Sequence, residues 1–260
     1  MPYENVNLEV QGQIGFIKIN RPKALNALNS ATLDDLLGAV GELSCNDAVR
    51  VVIVTGEGNK AFVAGADIQE MQSMNPVEGM SFSQKGHIAM SALETLDKPV
   101  IAAVNGYALG GGFELALACD IIYASEKARL GFPEVTLGIL PGFGGTQRTA
   151  RLVGPAKAKE LIFSGKVITA GEAYEMGLLN KVVADDQLMT AVEELASKIL
   201  SAGPVGIRLA KTCISRGLSM DIATGLDFEA EAFGLCFGTE DQKEGMTAFL
   251  EKRTPTYHGR

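Results

Sequence analysis

Three short, wholly apolar runs constrain this chain most: Val51-Val52-Ile53-Val54, Val100-Ile101-Ala102-Ala103-Val104 and Ile121-Ile122-Tyr123-Ala124. Each has the length of a strand and no charged position, the pattern of a strand covered on both faces. Residues 80–96, just before the second run, read as a helix. Strands alternating with helices imply βαβ units, right-handed crossovers and a parallel sheet. Ahead of them, residues 6–10 and 14–19 flank Gln11-Gly12-Gln13 as a hairpin. Residues 30–43 read as a helix capped by Ser30, with Leu33, Leu36, Leu37 and Val40 on one face. After Pro141 the pattern changes. Residues 146–153, 156–164, 170–176, 187–202, 205–216, 222–237 and 241–252 all read as helices, and only 180–183 as a strand. No tandem repeat is visible in the sequence. The expectation is an α/β core over 1–195 and a helical C-terminal region over 196–260. That region carries more apolar positions than a lone subunit would cover, which points to a neighbouring subunit.

Bulk properties remove several classes of function. The net charge is −8 and no basic face is evident, which argues against nucleic acid as the main partner. Cys45, Cys119, Cys213 and Cys236 are widely spaced and form no CxxC pair, so neither a metal site nor a disulfide framework is expected. The opening Met1-Pro2-Tyr3-Glu4-Asn5 has no basic and then apolar character of a secretory leader, and a cytoplasmic protein is expected. The most apolar stretch, 100–119, contains Asn105, Glu114 and four glycines, and reads as a buried strand and helix rather than a membrane span. His87 and His258 join no metal motif and no Ser/His/Asp order, and GxSxG is absent.

What remains is a pair of glutamates in glycine-rich frames, Gly110-Gly111-Gly112-Phe113-Glu114 and Gly131-Phe132-Pro133-Glu134. A glycine run followed by a glutamate marks the entrance to a helix, where free N–H groups and the positive end of a dipole favour an anion. The run lacks both the GxGxxG order of a dinucleotide site and the GK[ST] of a P-loop. Taken alone, such a run at a helix start is more often close packing than catalysis. Glu134 stands between Pro133 and the apolar Val135, and apolar surroundings raise a carboxyl's proton affinity. A third segment, Ala61-Phe62-Val63-Ala64-Gly65-Ala66-Asp67-Ile68, follows the first buried run, and its small residues let a ligand approach the backbone. It reads equally as a tight turn before a helix capped by Asp67. Gly142-Phe143-Gly144-Gly145-Thr146-Gln147-Arg148 starts a helix near the same site or forms a hinge.

Together these segments resemble the crotonase (enoyl-CoA hydratase/isomerase) superfamily. The likeness covers nearly the whole chain. It begins at Asn20-Arg21-Pro22-Lys23-Ala24-Leu25-Asn26-Ala27-Leu28 and continues through Ala64-Gly65-Ala66-Asp67-Ile68 and Lys98-Pro99-Val100-Ile101-Ala102-Ala103-Val104-Asn105-Gly106. It ends with Glu240-Asp241 and Glu251-Lys252-Arg253. The pattern is most similar to the short-chain hydratases and 3-hydroxyacyl-CoA dehydratases of that superfamily. Mild departures fall at Phe113, Leu130 and Phe132, and Phe132 is expected to shape the acyl end of the pocket.

The resemblance implies an α/β fold, a spiral of ββα turns, with C-terminal helices that build trimers and then a homohexamer. It implies acyl-CoA thioester substrates, coenzyme A being part of the substrate, and no metal, redox cofactor, nucleic acid or membrane. By position, the N–H groups of Ala66 and Gly111 would form an oxyanion hole, and Glu114 and Glu134 the hydratase pair. Ala64, Asp67 and Ile68 would lie along coenzyme A, Lys23, Ala24 and Lys60 would flank its nucleotide, and Phe233 and Lys252 would complete the pocket, within or across subunits. The implied reaction is the reversible hydration of short trans-2-enoyl-CoA, with Glu114 as base towards water and Glu134 protonating the α-carbon. The alternatives are a Δ3,Δ2-enoyl-CoA isomerase, which needs one carboxylate, and a silent coenzyme A- or RNA-binding homologue.

Overall fold

The computed structural model describes residues 3–260. Its elements run β1 (Val6–Gln11), β2 (Ile14–Ile19), α1 (Ser30–Cys45), β3 (Val51–Gly56), β4 (Ala61–Val63), α2 (Ile68–Met71), α3 (Pro76–Glu94), β5 (Val100–Val104), β6 (Tyr107–Leu109), α4 (Gly111–Leu117), β7 (Ile121–Ser125) and β8 (Arg129–Gly131). A 3-10 turn (Pro133–Leu137) leads to α5 (Gly145–Val153), α6 (Pro155–Ser164), β9 (Val167–Thr169), α7 (Ala170–Glu175), β10 (Lys181–Val183), α8 (Leu188–Leu200), α9 (Pro204–Gly217), α10 (Ile222–Cys236) and α11 (Glu240–Glu251).

The apolar runs form the centre of a six-stranded sheet ordered β1-β2-β3-β5-β7-β10, parallel from β2 onwards. Both of its faces are covered, which is why those runs alternate with nothing polar. Val52, Val54, Ala102 and Val104 join the main core with α1, α3 and α4. Val51, Ile53, Ile101 and Ala103 meet Leu188, Val192 and Ala196 of α8 on the other side. The anticipated hairpin β1–β2 is present, with Val6 opposite Ile19.

A second sheet, implied by the ββα resemblance, was not read from the residues themselves. It has the order β4-β6-β8-β9, and every strand in it is three residues long. Strands so short leave no periodicity to read. Their placement shows the repeat that the sequence conceals: β3-β4, β5-β6 and β7-β8 each step from the large sheet to the small one before the chain turns into helix. β9 likewise corrects the expectation of a single strand, 180–183, after Pro141.

Two helix starts differ from expectation. Helix α1 is capped by Asn29, whose Oδ1 accepts from Thr32 N at 2.8 Å, and Ser30 is already in the first turn. The Ser30 amide and hydroxyl donate instead to Glu70. Helix α3 begins four residues before the expected 80, at Pro76, behind a reciprocal capping box between Asn75 and Glu78. The 195/196 boundary falls inside α8, which packs as one face on the large sheet. The change in character comes after α8. Helices α9, α10 and α11 bury only Ala232, Asp241 and Ala248. They leave Ile214, Leu218, Ile222, Phe233, Phe249 and Leu250 exposed.

No helix among the described residues is long and apolar enough to cross a membrane. The four cysteines are free thiols.

Candidate active site

The site forms where the small sheet hands its chain to helices. After β4, Gly65 takes φ +126°, a value that L side chains rarely adopt, and the chain turns through Ala66. After β6, Gly110 takes φ +49° and its amide donates to Gly131 O at 2.9 Å. A Cβ on Gly110 would stand 2.6 Å from Glu134 Oε1, and one on Gly112 would collide with the Val63 carbonyl. So the glycine run lets α4 press on β4 and lets the Glu134 carboxyl lie against the helix entrance. The position a Gly111 Cβ would take is 3.4 Å from Ala66 N, so Gly111 stands against the Ala66 amide. Gly111 is the first residue of α4 and has no intrahelical acceptor. Among the described residues, neither its amide nor that of Ala66 donates to another backbone group.

Glu114 lies one turn into α4 and is fully buried. Its Oε1 accepts from Phe143 N at 2.8 Å and from Gly145 N at 2.7 Å. Burial pushes its carboxyl up from 4.5 to about 7. The nearby charge of Glu134 adds to the rise, while the two amides and the Arg148 guanidinium oppose it. Glu134 sits in the 3-10 turn and is half-buried; its Oε2 is covered and has no hydrogen-bond partner. Burial likewise pushes it up to about 7. Both carboxyls line one cavity of about 570 Å³. The rest of its wall is mostly apolar, with Met71, Met74, Phe82, Leu140 and Phe143 prominent. Two carboxyls that share protons near neutrality, beside two unengaged amides, suit proton transfer next to an oxygen that gains negative charge.

The anticipated residues do not all gather in one place. Glu114, Glu134, Ala66, Gly111, Ala64 and Ile68 meet around this cavity. Asp67 caps α2 and is paired with Arg21 at 2.9 Å rather than facing the cavity. Lys23 and Ala24 occupy a short 3-10 turn, Pro22–Ala24, tied to the site because Leu25 O accepts Ala64 N at 3.0 Å. Lys60 is exposed beside β4, its carbonyl accepting from Tyr107 N. Phe233 and Lys252 are exposed on the C-terminal helices and do not reach the cavity within one chain. Phe132 departs from expectation. It is fully buried, stacked on Phe113 with ring centroids 5.0 Å apart, and packs beneath Gly145 instead of lining the cavity.

Several contributors were not anticipated by residue. Phe143 and Gly145 supply the amides on Glu114, and the Gly142-Phe143-Gly144-Gly145 run was the available signal, since a helix start presents free N–H groups. Phe82 and Ser83 enter from α3, and nothing local in the sequence places them there. A separate, polar cavity of about 670 Å³ lies between Arg50, Lys98, Arg208 and Tyr257 and holds none of the expected residues.

Comparison with known proteins identifies the family. A model of the family described as "Enoyl-CoA hydratase/isomerase" matches residues 9–260. The short-chain-enoyl-CoA hydratase of Clostridium acetobutylicum is 56% identical over 253 residues, 97% of each chain. The crotonyl-CoA hydratase of Syntrophomonas wolfei is 51% identical over 257 residues, 99% of each chain. Among solved structures, the enoyl-CoA hydratase from Bacillus anthracis superposes with a TM-score of 0.96 at 44% identity, covering 99% of this chain and 100% of its own.

Proposed function

This chain belongs to the enoyl-CoA hydratase/isomerase family, and on that premise we propose that it hydrates short-chain trans-2-enoyl-CoA to 3-hydroxyacyl-CoA, reversibly. One observation carries the reading. Two carboxyls raised to about 7 face one apolar cavity beside the Ala66 and Gly111 amides. As water adds to the double bond, charge builds on the thioester oxygen. The Ala66 and Gly111 amides hold that oxygen, each worth on the order of 3 kcal/mol in such a position. Glu114, anchored by two amides, takes the proton from water. Glu134, whose Oε2 has no protein partner, delivers a proton to the α-carbon. In reverse the same groups dehydrate. The chemistry needs no metal or redox cofactor.

Ala64, Ile68 and the Asp67 backbone lie at the mouth where coenzyme A enters, with Lys23, Ala24 and Lys60 towards its nucleotide. Phe233 and Lys252 belong to a neighbouring subunit's pocket in a homohexamer. The apolar side chains exposed on α9–α11 support that assembly. The free thiols fit a reducing compartment such as the cytoplasm.

The test is conversion of crotonyl-CoA to 3-hydroxybutyryl-CoA by the purified protein in EDTA, with Glu114→Gln and Glu134→Gln alongside. An amide hydrogen-bonds but exchanges no proton at neutral pH. Each variant should bind and lose most hydration, and the losses should not add in the double variant. If one substitution is harmless and a 3-enoyl-CoA is the better substrate, the protein is an isomerase instead.

A further inference from the structure

We propose that α3 is the positioning element for Glu114: its Phe82-Ser83-Gly86 face holds the 142–145 loop, and the loop's amides hold the carboxylate. The proposal rests on the role of Glu114 given above. The contacts run without a gap. Residues 82, 83 and 86 share one face of α3. Ser83 Oγ donates to Gly142 O at 2.5 Å. The Phe82 ring tilts onto the Phe143 ring, with centroids 5.2 Å apart. Gly86 leaves a notch for that ring, which a Cβ would enter. At the far end of α3, Glu94 pairs with Arg148 at 2.8 Å, and Arg148 Nη1 donates to Phe143 O at 3.1 Å. So Gly142 and Phe143 are tied to α3 through both carbonyls and one ring. From that tethered stretch the Phe143 and Gly145 amides reach Glu114 Oε1.

This tether has a chemical consequence. Hydrogen bonds to a carboxylate favour its charged form, and Glu114 needs them because burial favours the acid. The other charges facing it are Glu134 from the 3-10 turn, which disfavours ionisation, and Arg148 from α5, which favours it and is itself held by Glu94. A slack loop therefore leaves Glu114 protonated to higher pH and makes it a poorer base. Ser83 and Phe82 also line the cavity. A direct contact with substrate would show instead in KM.

The test uses the full chain with crotonyl-CoA between pH 5.5 and 9. Ser83→Ala should lower kcat on the acid limb by about 3- to 10-fold, the scale of one lost hydrogen bond. KM should stay within about twofold. The midpoint of the acid limb should rise by about half to one pH unit. Ser83→Thr keeps the hydroxyl and should restore both. Gly86→Ala should move both quantities the same way, by displacing the Phe143 ring. Wild-type kcat and an unmoved acid limb in Ser83→Ala would overturn the proposal. So would a raised KM with kcat unchanged, which would make Ser83 a substrate contact. If the wild-type protein does not hydrate enoyl-CoA, the functional reading fails separately. The tether is then read from unfolding: the pH range over which stability falls must extend upwards in Ser83→Ala, and an unchanged range refutes it.

Discussion

Glu114→Gln should stabilise this protein at pH 8 while abolishing its turnover, and the gain should vanish in acid. The glutamine Oε1 can still accept the Phe143 and Gly145 amides, so the geometry is kept and only ionisation is lost. Burial raises the carboxyl from 4.5 to about 7 in the folded chain. Between those values the native state holds a proton that the unfolded chain has released. Wild-type stability therefore falls as pH rises through that window and is flat above it. At 1.36 kcal/mol per pH unit, the loss is about 3 kcal/mol by pH 8. Glu134 contributes a slope of the same sign, smaller because it is partly exposed, and it is present in both proteins. The assay is urea unfolding at pH 4.5 and pH 8 at one protein concentration, with Tm as a second reading. The variant-minus-wild-type difference should grow by about 3 kcal/mol between the two pH values, or by about 5–10 °C in Tm. The pH-independent offset of an amide for an acid cancels in that comparison. A difference equal at both pH values, or one that grows towards acid, would refute the reasoning that Glu114 is an unwillingly ionised group.

The carboxyl pair should give kcat/KM a bell-shaped pH profile about neutrality, with two apparent pKa values belonging to the pair, and a flat profile from pH 5 to 9 would remove one of them from the reaction. Gly111→Val places side-chain atoms 3.1–3.4 Å from the Phe143 ring and Ala66 N, and kcat should fall at least ~100-fold with the circular dichroism spectrum unchanged. Glu172, in the capping box of α7 and paired with Lys166, is held down to about 2, so Glu172→Gln should cost stability at pH 7 and cost none once pH falls below about 2, the opposite sign to Glu114. Sedimentation at micromolar concentration should show a species larger than a dimer, and a fully active monomer would sink both the assembly and the placing of Phe233 across subunits.

How much of this was legible depended on the range over which each signal acts. Residues 51–54 and 100–104 read correctly as strands covered on both sides because every position in them is apolar, a property of the run itself. The capping box at Asn75 and Glu78 was equally local and was available in the sequence, although the helix was expected only from residue 80. The strands β4, β6, β8 and β9 were not legible, since three residues hold less than two periods of alternation. They exist because neighbouring turns of the spiral supply their hydrogen-bond partners. Phe132 shows the same limit: an aromatic two positions before a key glutamate reads as pocket lining, but whether it faces the cavity or Phe113 is settled by the twist of the chain between them.

The sequence by itself determined the α/β class and the two glycine frames with a glutamate in each, because these rest on residue types and short spacings. Only the tertiary structure decided that Glu114 is gripped by amides from residues 143 and 145, and that α3 holds those amides in place. It also decided that both carboxyls sit near neutrality. Burial and hydrogen bonding are properties of groups far apart in the chain, and folding alone brings them within reach of one another.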